Sequence, residues 1–265
     1  MIKRFFNDMM RYRNYTTYSV KSTLKAEVAG SHLNWIWWIL EPLCFMFVYW
    51  LVFGTLFGSE PNFHIFIFIG LTMWNLFNKT VTANVKVVKA NKSVVTKIYL
   101  PKYILVLVNL GVNFFKMLIS WGIVIALLAI SGVAPVWSSL WIFPIILVLT
   151  LITFGVSTII AHLGVYVEDM TNIVRIALQM LFYLSGVFYH LETRLADLGN
   201  FAKYILTLNP FAFLSTLARN VLLYQKALTS QNLLFLGIWF VIGFLLCCLG
   251  IRLIYRHENS YAKIV

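Results

Sequence analysis

Long apolar runs separated by short polar segments dominate the chain. Six runs can cross a bilayer: 35–57, 63–82, 103–130, 141–166, 172–189 and 232–254. A hydrocarbon core of about 30 Å takes about 20 helical residues, and membrane strands would instead alternate over about 10. The pattern predicts an all-α integral membrane protein with six transmembrane helices. Residues 1–30 mix bases with aromatics ("RFFNDMMRYRNYTTYSVKSTLKAEVAG") and predict an amphipathic helix along the membrane interface. Residues 190–231 are too long for a simple connection and too apolar for a loose loop. Within them, Asn209 is a candidate N-cap with Pro210 at the first helical position. Two short helices around Asn209–Pro210, re-entering the outer leaflet, are predicted; a hairpin lying flat on the outer surface is the competing arrangement. The whole, 1–265, reads as one transmembrane domain.

Charge orients the runs. Residues 1–34 and 79–102 carry six Lys/Arg each, the tail carries Arg252, Arg256 and Lys263, and residues 58–62 and 131–140 carry none. The positive-inside rule then places both termini and the lysine loop in the cytoplasm. The 190–231 connection, with Arg194, Lys203, Arg219 and Lys226, falls outside against that trend. Trp35, Trp37 and Trp38 mark an interfacial belt at the start of the first run. The chain is 61% hydrophobic, which excludes an ordinary soluble domain. Its net charge of +12 is spread between apolar runs, so it reads as membrane orientation and not as a nucleic-acid surface. No apolar h-region lies in the first 34 residues, so no cleavable signal peptide is expected. Cys44, Cys247 and Cys248 give neither a disulfide framework nor metal spacing. No GxxxxGK[ST] loop occurs. An enzyme, a metal and a cofactor of the chain's own are therefore not expected.

Three features carry candidate chemistry. In the 84–100 loop, Val87, Val88, Val94, Val95 and Ile98 share one arc at 100° per residue, and Lys86, Lys89, Lys92, Ser93, Thr96 and Lys97 the other. This predicts an amphipathic helix of about three turns that Pro101 stops. It either lies on anionic lipid or docks into a cytoplasmic partner. In the third run, Asn109, Asn113, Lys116 and Ser120 fall at i, i+4, i+7 and i+11 on one face. Lys116 lies roughly 20 Å along that helix, with no acid at a matching depth and Glu41 too shallow. A lysine there lines a wet route for an anionic or polar substrate, or bonds backbone carbonyls between helices. Aromatics make up 17% of the chain, and Trp74 is the first candidate for stacking on a sugar ring.

Taken in order, the landmarks resemble the membrane-spanning subunits of type-2 ABC exporters for polysaccharide, O-antigen and teichoic acid. The segments that carry the resemblance are "LNWIWWILEP", "FIGLTMWNLF", "TKIYLPKY", "VYVEDMTNIVRIALQMLFYLSGVFY" and "LNPFAFLSTLARNVLL". The chain departs from the family at Glu168–Asp169, where Arg-Asp is common, and at Ser185–Gly186–Val187, where Ser-Pro-Val is common. The resemblance implies a second copy of the chain and two separate ATP-binding cassette subunits that hold ATP and Mg. It implies that Asn91, Lys92, Ser93, Val94, Val95, Thr96 and Lys97 form a coupling helix docked on those subunits. Asn109, Asn113, Lys116, Ser120 and Trp74 become conduit candidates, and Ser185, Gly186, Asn209 and Pro210 an extracytoplasmic gate. The interfacial helix would help form a lateral gate. The cargo would be a glycan or polyol-phosphate polymer on a lipid carrier, moved across a bacterial cytoplasmic membrane. An exporter of a small hydrophobic compound and a membrane enzyme acting on lipid-linked sugars are the alternatives.

Overall fold

A computed structural model describes residues 2–29, 32–57, 61–97, 99–190 and 207–264. Every regular element among them is helical. The interfacial segment forms α1 (Ile2–Arg11) and α2 (Arg13–Ala29). The bundle follows with α3 (Trp37–Phe57), α4 (Phe63–Asn84), α7 (Lys102–Ile130), α8 (Ile142–Tyr166) and α9 (Met170–Leu184). Between α4 and α7 lie α5 (Val87–Ala90) and α6 (Lys92–Lys97). The chain closes with α10 (Pro210–Leu222) and α11 (Ser230–Ile264).

Four helical segments combine the length and apolarity of a membrane span: Trp37–Thr55, Lys102–Ile130, Trp137–Tyr166 and Ser230–Glu258. The other two predicted runs fold differently. Helix α4 is 22 residues long, but its second half carries Asn75, Asn78, Lys79, Thr80, Thr82 and Asn84. It tolerates them because it is the central helix, packed by α3, α7, α8, α9 and α10, and Phe66, Ile67, Phe68 and Ile69 are all buried. Helix α9 has 15 residues and stops at Ser185, before Gly186 at φ 61. At about 22 Å it is shorter than a hydrocarbon core. Helix α11, by contrast, runs 35 residues, well past the apolar run. Its polar tail stays helical because Ile254 and Tyr261 are buried, and the Tyr261 hydroxyl lies 2.6 Å from His162 Nδ1 of α8.

Small residues set the α8–α11 contact. A Cβ at Gly155 would lie 2.8 Å from the Cys247 backbone nitrogen, and one at Gly250 would lie 2.0 Å from Thr158 Oγ1. Close backbone approach of this kind replaces the hydrophobic effect as the packing force between helices in lipid.

One end of the bundle gathers both termini and the lysine loop. Arg4 of α1 lies 3.7 Å from Glu258 of α11 and donates to the Tyr99 hydroxyl at 2.6 Å. Tyr99 donates in turn to Glu258 at 2.9 Å, and Tyr103 to Asp8 at 2.5 Å. Helix α1, the tail of α11 and the residue before the foot of α7 thus share one basic end of the bundle.

The interfacial segment does not lie flat. It climbs along α7: Phe5 packs on Tyr103 with ring centroids 5.4 Å apart, Val20 packs on Gly111, and Glu27 reaches Lys116. Helix α7 is 29 residues, about 43 Å, and exceeds a hydrocarbon core by about 13 Å. Counting about 20 residues back from Ile130 puts the hydrocarbon boundary on the lysine-loop side near Gly111. Lys116 then sits about 8 Å inside that boundary, not the 20 Å that its distance along the helix implies.

Candidate functional site

The polar stripe of α7 is divided between two tasks. Asn109 donates to Asn84 Oδ1 at 2.9 Å, and Asn113 donates to Thr80 Oγ1 at 3.1 Å. These bonds match the polar half of α4 to the stripe, so neither helix buries an unpaired amide. One turn further on, Asn113, Lys116 and Ser120 line a cavity of about 270 Å³. Helix α2 contributes Glu27 and Val28 to its wall, α3 contributes Trp37, Trp38, Glu41 and Pro42, and α4 contributes Thr72, Asn75, Leu76 and Lys79.

Two ion pairs cross this cavity. Lys116 Nζ lies 2.5 Å from Glu27 Oε2, and Lys79 Nζ lies 2.8 Å from Glu41 Oε1. The expectation of an acid-free depth around Lys116 is corrected here. The interfacial helix rises far enough to deliver Glu27, and Glu41 serves Lys79 on the same cavity. Thr72 Oγ1, in the lining, is buried and has no hydrogen-bond partner. Trp38 meets Phe115 edge-on at 6.0 Å, which puts the tryptophan belt at the level of Lys116. The site therefore lies level with that belt, within about 8 Å of the edge of the hydrocarbon as counted along α7.

Beside it runs an apolar groove of about 580 Å³ between α2, α3 and α7. Val20, Leu24 and Phe115 line it, Lys21 and Lys25 border it, and Val28 and Trp38 belong to both spaces. Sequence reasoning missed the groove, which forms only where α2 packs beside Trp38 and Phe115, and missed the Glu27–Lys116 pair because the two residues are far apart in the chain. The acid near the end of an otherwise basic helix was the available signal.

The predicted loop helix is two helices. They break at Asn91 (φ −101, ψ 29), whose side chain donates to Val87 O at 2.8 Å. Within the described part of the pattern, Val87, Val88 and Val95 are buried, while Lys86, Lys92, Ser93 and Lys97 face outward; Ile98 lies outside the described residues. Helix α5 packs on α7 and α8. Val94 is half-buried, and Thr96 lies on α6.

At the opposite end, Ser185, Gly186, Asn209 and Pro210 come together. Asn209 caps α10, accepting from Phe211 N at 3.0 Å and Ala212 N at 3.3 Å, with Pro210 at the first helical position. Its amide donates to Leu184 O and Ser185 Oγ, both at 3.2 Å. Arg219 went unassigned in the sequence. It is 3% exposed and donates to Phe66 O, Gly186 O and Val187 O at 3.0–3.1 Å. Its guanidinium also lies 3.5 Å over the Phe66 ring. A lone arginine inside "FAFLSTLARNVLL" was the signal. The rest of the predicted gate region, 191–206, lies outside the described residues. Trp74 stands apart from the cavity: it is 5% exposed and packs among Phe77, Phe182 and Phe211.

A helical bundle with four apolar helices of membrane length, a cavity with paired charges and a basic loop seated at one end defines a multi-pass membrane protein. Residues 10–223 match the ABC-2 type transporter family. The chain belongs to that family and is a membrane subunit of it. It is similar to the O-antigen export system permease protein RfbA of Klebsiella pneumoniae, 26% identical over 244 residues, 91% of each chain. It is also similar to the protein of the same name from Myxococcus xanthus, 28% identical over 215 residues, 80% of this chain and 82% of the relative.

Proposed function

We propose that this chain is the transmembrane subunit of an ATP-driven exporter that moves a lipid-linked polysaccharide, of the O-antigen or teichoic-acid type, across the cytoplasmic membrane. Two copies form the conduit, and two separate ATP-binding subunits hydrolyse ATP with Mg below it. The basic end faces the cytoplasm, as the positive-inside rule requires. The six-span topology counts α4 as a central span, and α9 together with the segment after its break as another. The cavity around Lys116, Asn113 and Ser120 is the cytoplasmic mouth of the route, and the Asn209–Ser185 cluster borders its exit. The polymer named for the two relatives supports the cargo class.

One observation carries the coupling assignment. The loop buries its valines on the bundle and turns Lys86, Lys92, Ser93 and Lys97 outward at the end that holds both termini. A helix pair seated by one face leaves the other for a partner chain. Ser93→Cys, in a background lacking Cys44, Cys247 and Cys248, should cross-link to a cysteine placed on the ATP-binding subunit. An intact, active complex that gives no cross-link overturns the docking assignment.

A further inference from the structure

Two buried charged side chains at the basic end are incompletely partnered. Glu258 of α11 is 9% exposed; its Oε1 accepts from the Tyr99 hydroxyl at 2.9 Å and lies 3.7 Å from Arg4 Nη2. Its Oε2 is buried and has no hydrogen-bond partner among the described residues. Lys102, the first residue of α7, is 5% exposed and has no carboxylate in ion-pair contact among the described residues. Its ammonium lies 5.7 Å from the centroid of the Tyr99 ring, the same tyrosine that bonds Glu258, and Glu258 is the carboxylate whose charge acts on it. Buried polar groups without partners are costly, and here each is what the other lacks. Arg4 is placed differently. Its side chain is 41% exposed, its guanidinium rests 4.0 Å over the Tyr255 ring, and Asp8, one turn along α1, lies 3.7 Å from its Nε.

We propose that Glu258 exchanges one cation for another: Arg4 holds it while α1 is docked, and Lys102 takes its free oxygen when α1 leaves. The two cations are mounted differently. Arg4 leaves with α1, returns readily to water and keeps Asp8 as an i,i+4 partner, so the departing helix carries no bare charge. Glu258 stays in the bundle, where a carboxylate stripped of its cation is strongly unfavourable. Lys102 is fixed at the foot of α7, and its flexible four-carbon stem lets the ammonium swing from the Tyr99 ring to Oε2. Tyr99 bonds Glu258 in both arrangements, and its carbonyl accepts from the Tyr12 hydroxyl at 3.1 Å. Tyr12 is the one residue between α1 and α2, so α2 stays seated and the chain hinges there. What α1 gives up is Tyr103: the hydroxyl bond to Asp8 and the ring contact with Phe5. Helix α1 is thus a reversible clasp over the foot of the lysine loop, and the vacant oxygen of Glu258 lets it open. The clasp goes beyond the cargo and docking assignments and depends on neither.

The test is zero-length cross-linking of the full chain in phosphatidylcholine nanodiscs with a carbodiimide, which joins an amine to a carboxylate in contact with it. Mass spectrometry of the digest reads the Lys102–Glu258 amide. Spin labels on Asn7→Cys and Ser260→Cys, in a background lacking Cys44, Cys247 and Cys248, read the distance from α1 to the tail of α11. Arg4→Gln should raise the Lys102–Glu258 cross-link by about tenfold, the weight of one charge-assisted contact. It should also move the spin-label distances from a short to a long population. Arg4→Lys, which restores a cation, should keep both readouts near native. Phe5→Ala loosens α1 through its apolar contact alone, leaves both cations in place, and should raise the cross-link in the same direction. It also serves if Arg4→Gln fails to assemble. An unchanged cross-link in Arg4→Gln and Phe5→Ala overturns the exchange. A cross-link that rises while α1 stays docked overturns the clasp, and release of α1 with no gain in cross-link shows that Lys102 does not replace Arg4.

Discussion

Arg219 gives the sharpest test of how the end opposite the lysine loop holds together. Its guanidinium serves three carbonyls. Phe66 O lies inside α4 and keeps its helical partner without Arg219, but Gly186 O and Val187 O follow the break in α9. Replacing Arg219 with Met leaves those two buried carbonyls unpaired, at about 1–3 kcal/mol each. Removing a desolvated charge offsets part of this, and the expected net loss is about 3 kcal/mol. Gly70 supplies an independent approach. A methyl group there would lie 2.3 Å from Arg219 Nη2 and 3.4 Å from Cζ, so Gly70→Ala must push the guanidinium off its carbonyls. It also meets Val187 Cγ1 at 3.3 Å, a smaller cost that stays when Arg219 is gone. In an unfolding titration in mixed micelles, each single variant should lose stability, and Gly70→Ala should cost much less in the Arg219→Met background than in the native one. Native-like stability of Arg219→Met, or an equal cost of Gly70→Ala in both backgrounds, refutes the clamp.

Further outcomes follow from contacts at the basic end. Gly164→Ala would place a Cβ 1.8 Å from Val85 O, a backbone atom that cannot swing aside. Fluorescence-detected size exclusion should show loss of the monodisperse species; a normal profile would mean that α8 and α4 separate freely. Burial, then the hydrogen bond to Glu258, pushes the Tyr99 phenol above its ordinary value. The neutral phenol is thus favoured by folding, so its contribution is complete below about pH 10 and is lost as pH rises through the folded value. An ultraviolet difference titration between native protein and Tyr99→Phe should show one phenol ionising late, and Glu258→Gln should bring it earlier. A Tyr99 signal at the ordinary value in the native protein contradicts the network.

Much of the bundle was legible because lipid demands long apolar helices, and α3, α7 and α8 lie within a few residues of their runs. The Asn209–Pro210 cap was equally plain, since the two residue types fit N-cap and first-turn chemistry. What escaped were long-range matches. No periodicity in α2 shows that Glu27 will meet Lys116, 89 positions away, nor that Arg4 will meet Glu258. The depth of Lys116 was misjudged because helix length alone does not say which part of a helix protrudes from the bilayer. The loop helix was read as continuous because Asn91 fits the arc, although its side chain bonds its own backbone and ends the first turn.

The length of α7 has a mechanical consequence. One uninterrupted rod begins three residues after Tyr99, passes Lys116 and ends at Ile130, the far edge of the span. Roughly a third of it projects below the hydrocarbon. A push on the loop at its foot therefore cannot be absorbed by a joint before it reaches the cavity. The rod must tilt as a lever about the bilayer, and a tilt of about 10° over about 20 Å moves its foot by about 3–4 Å relative to Lys116.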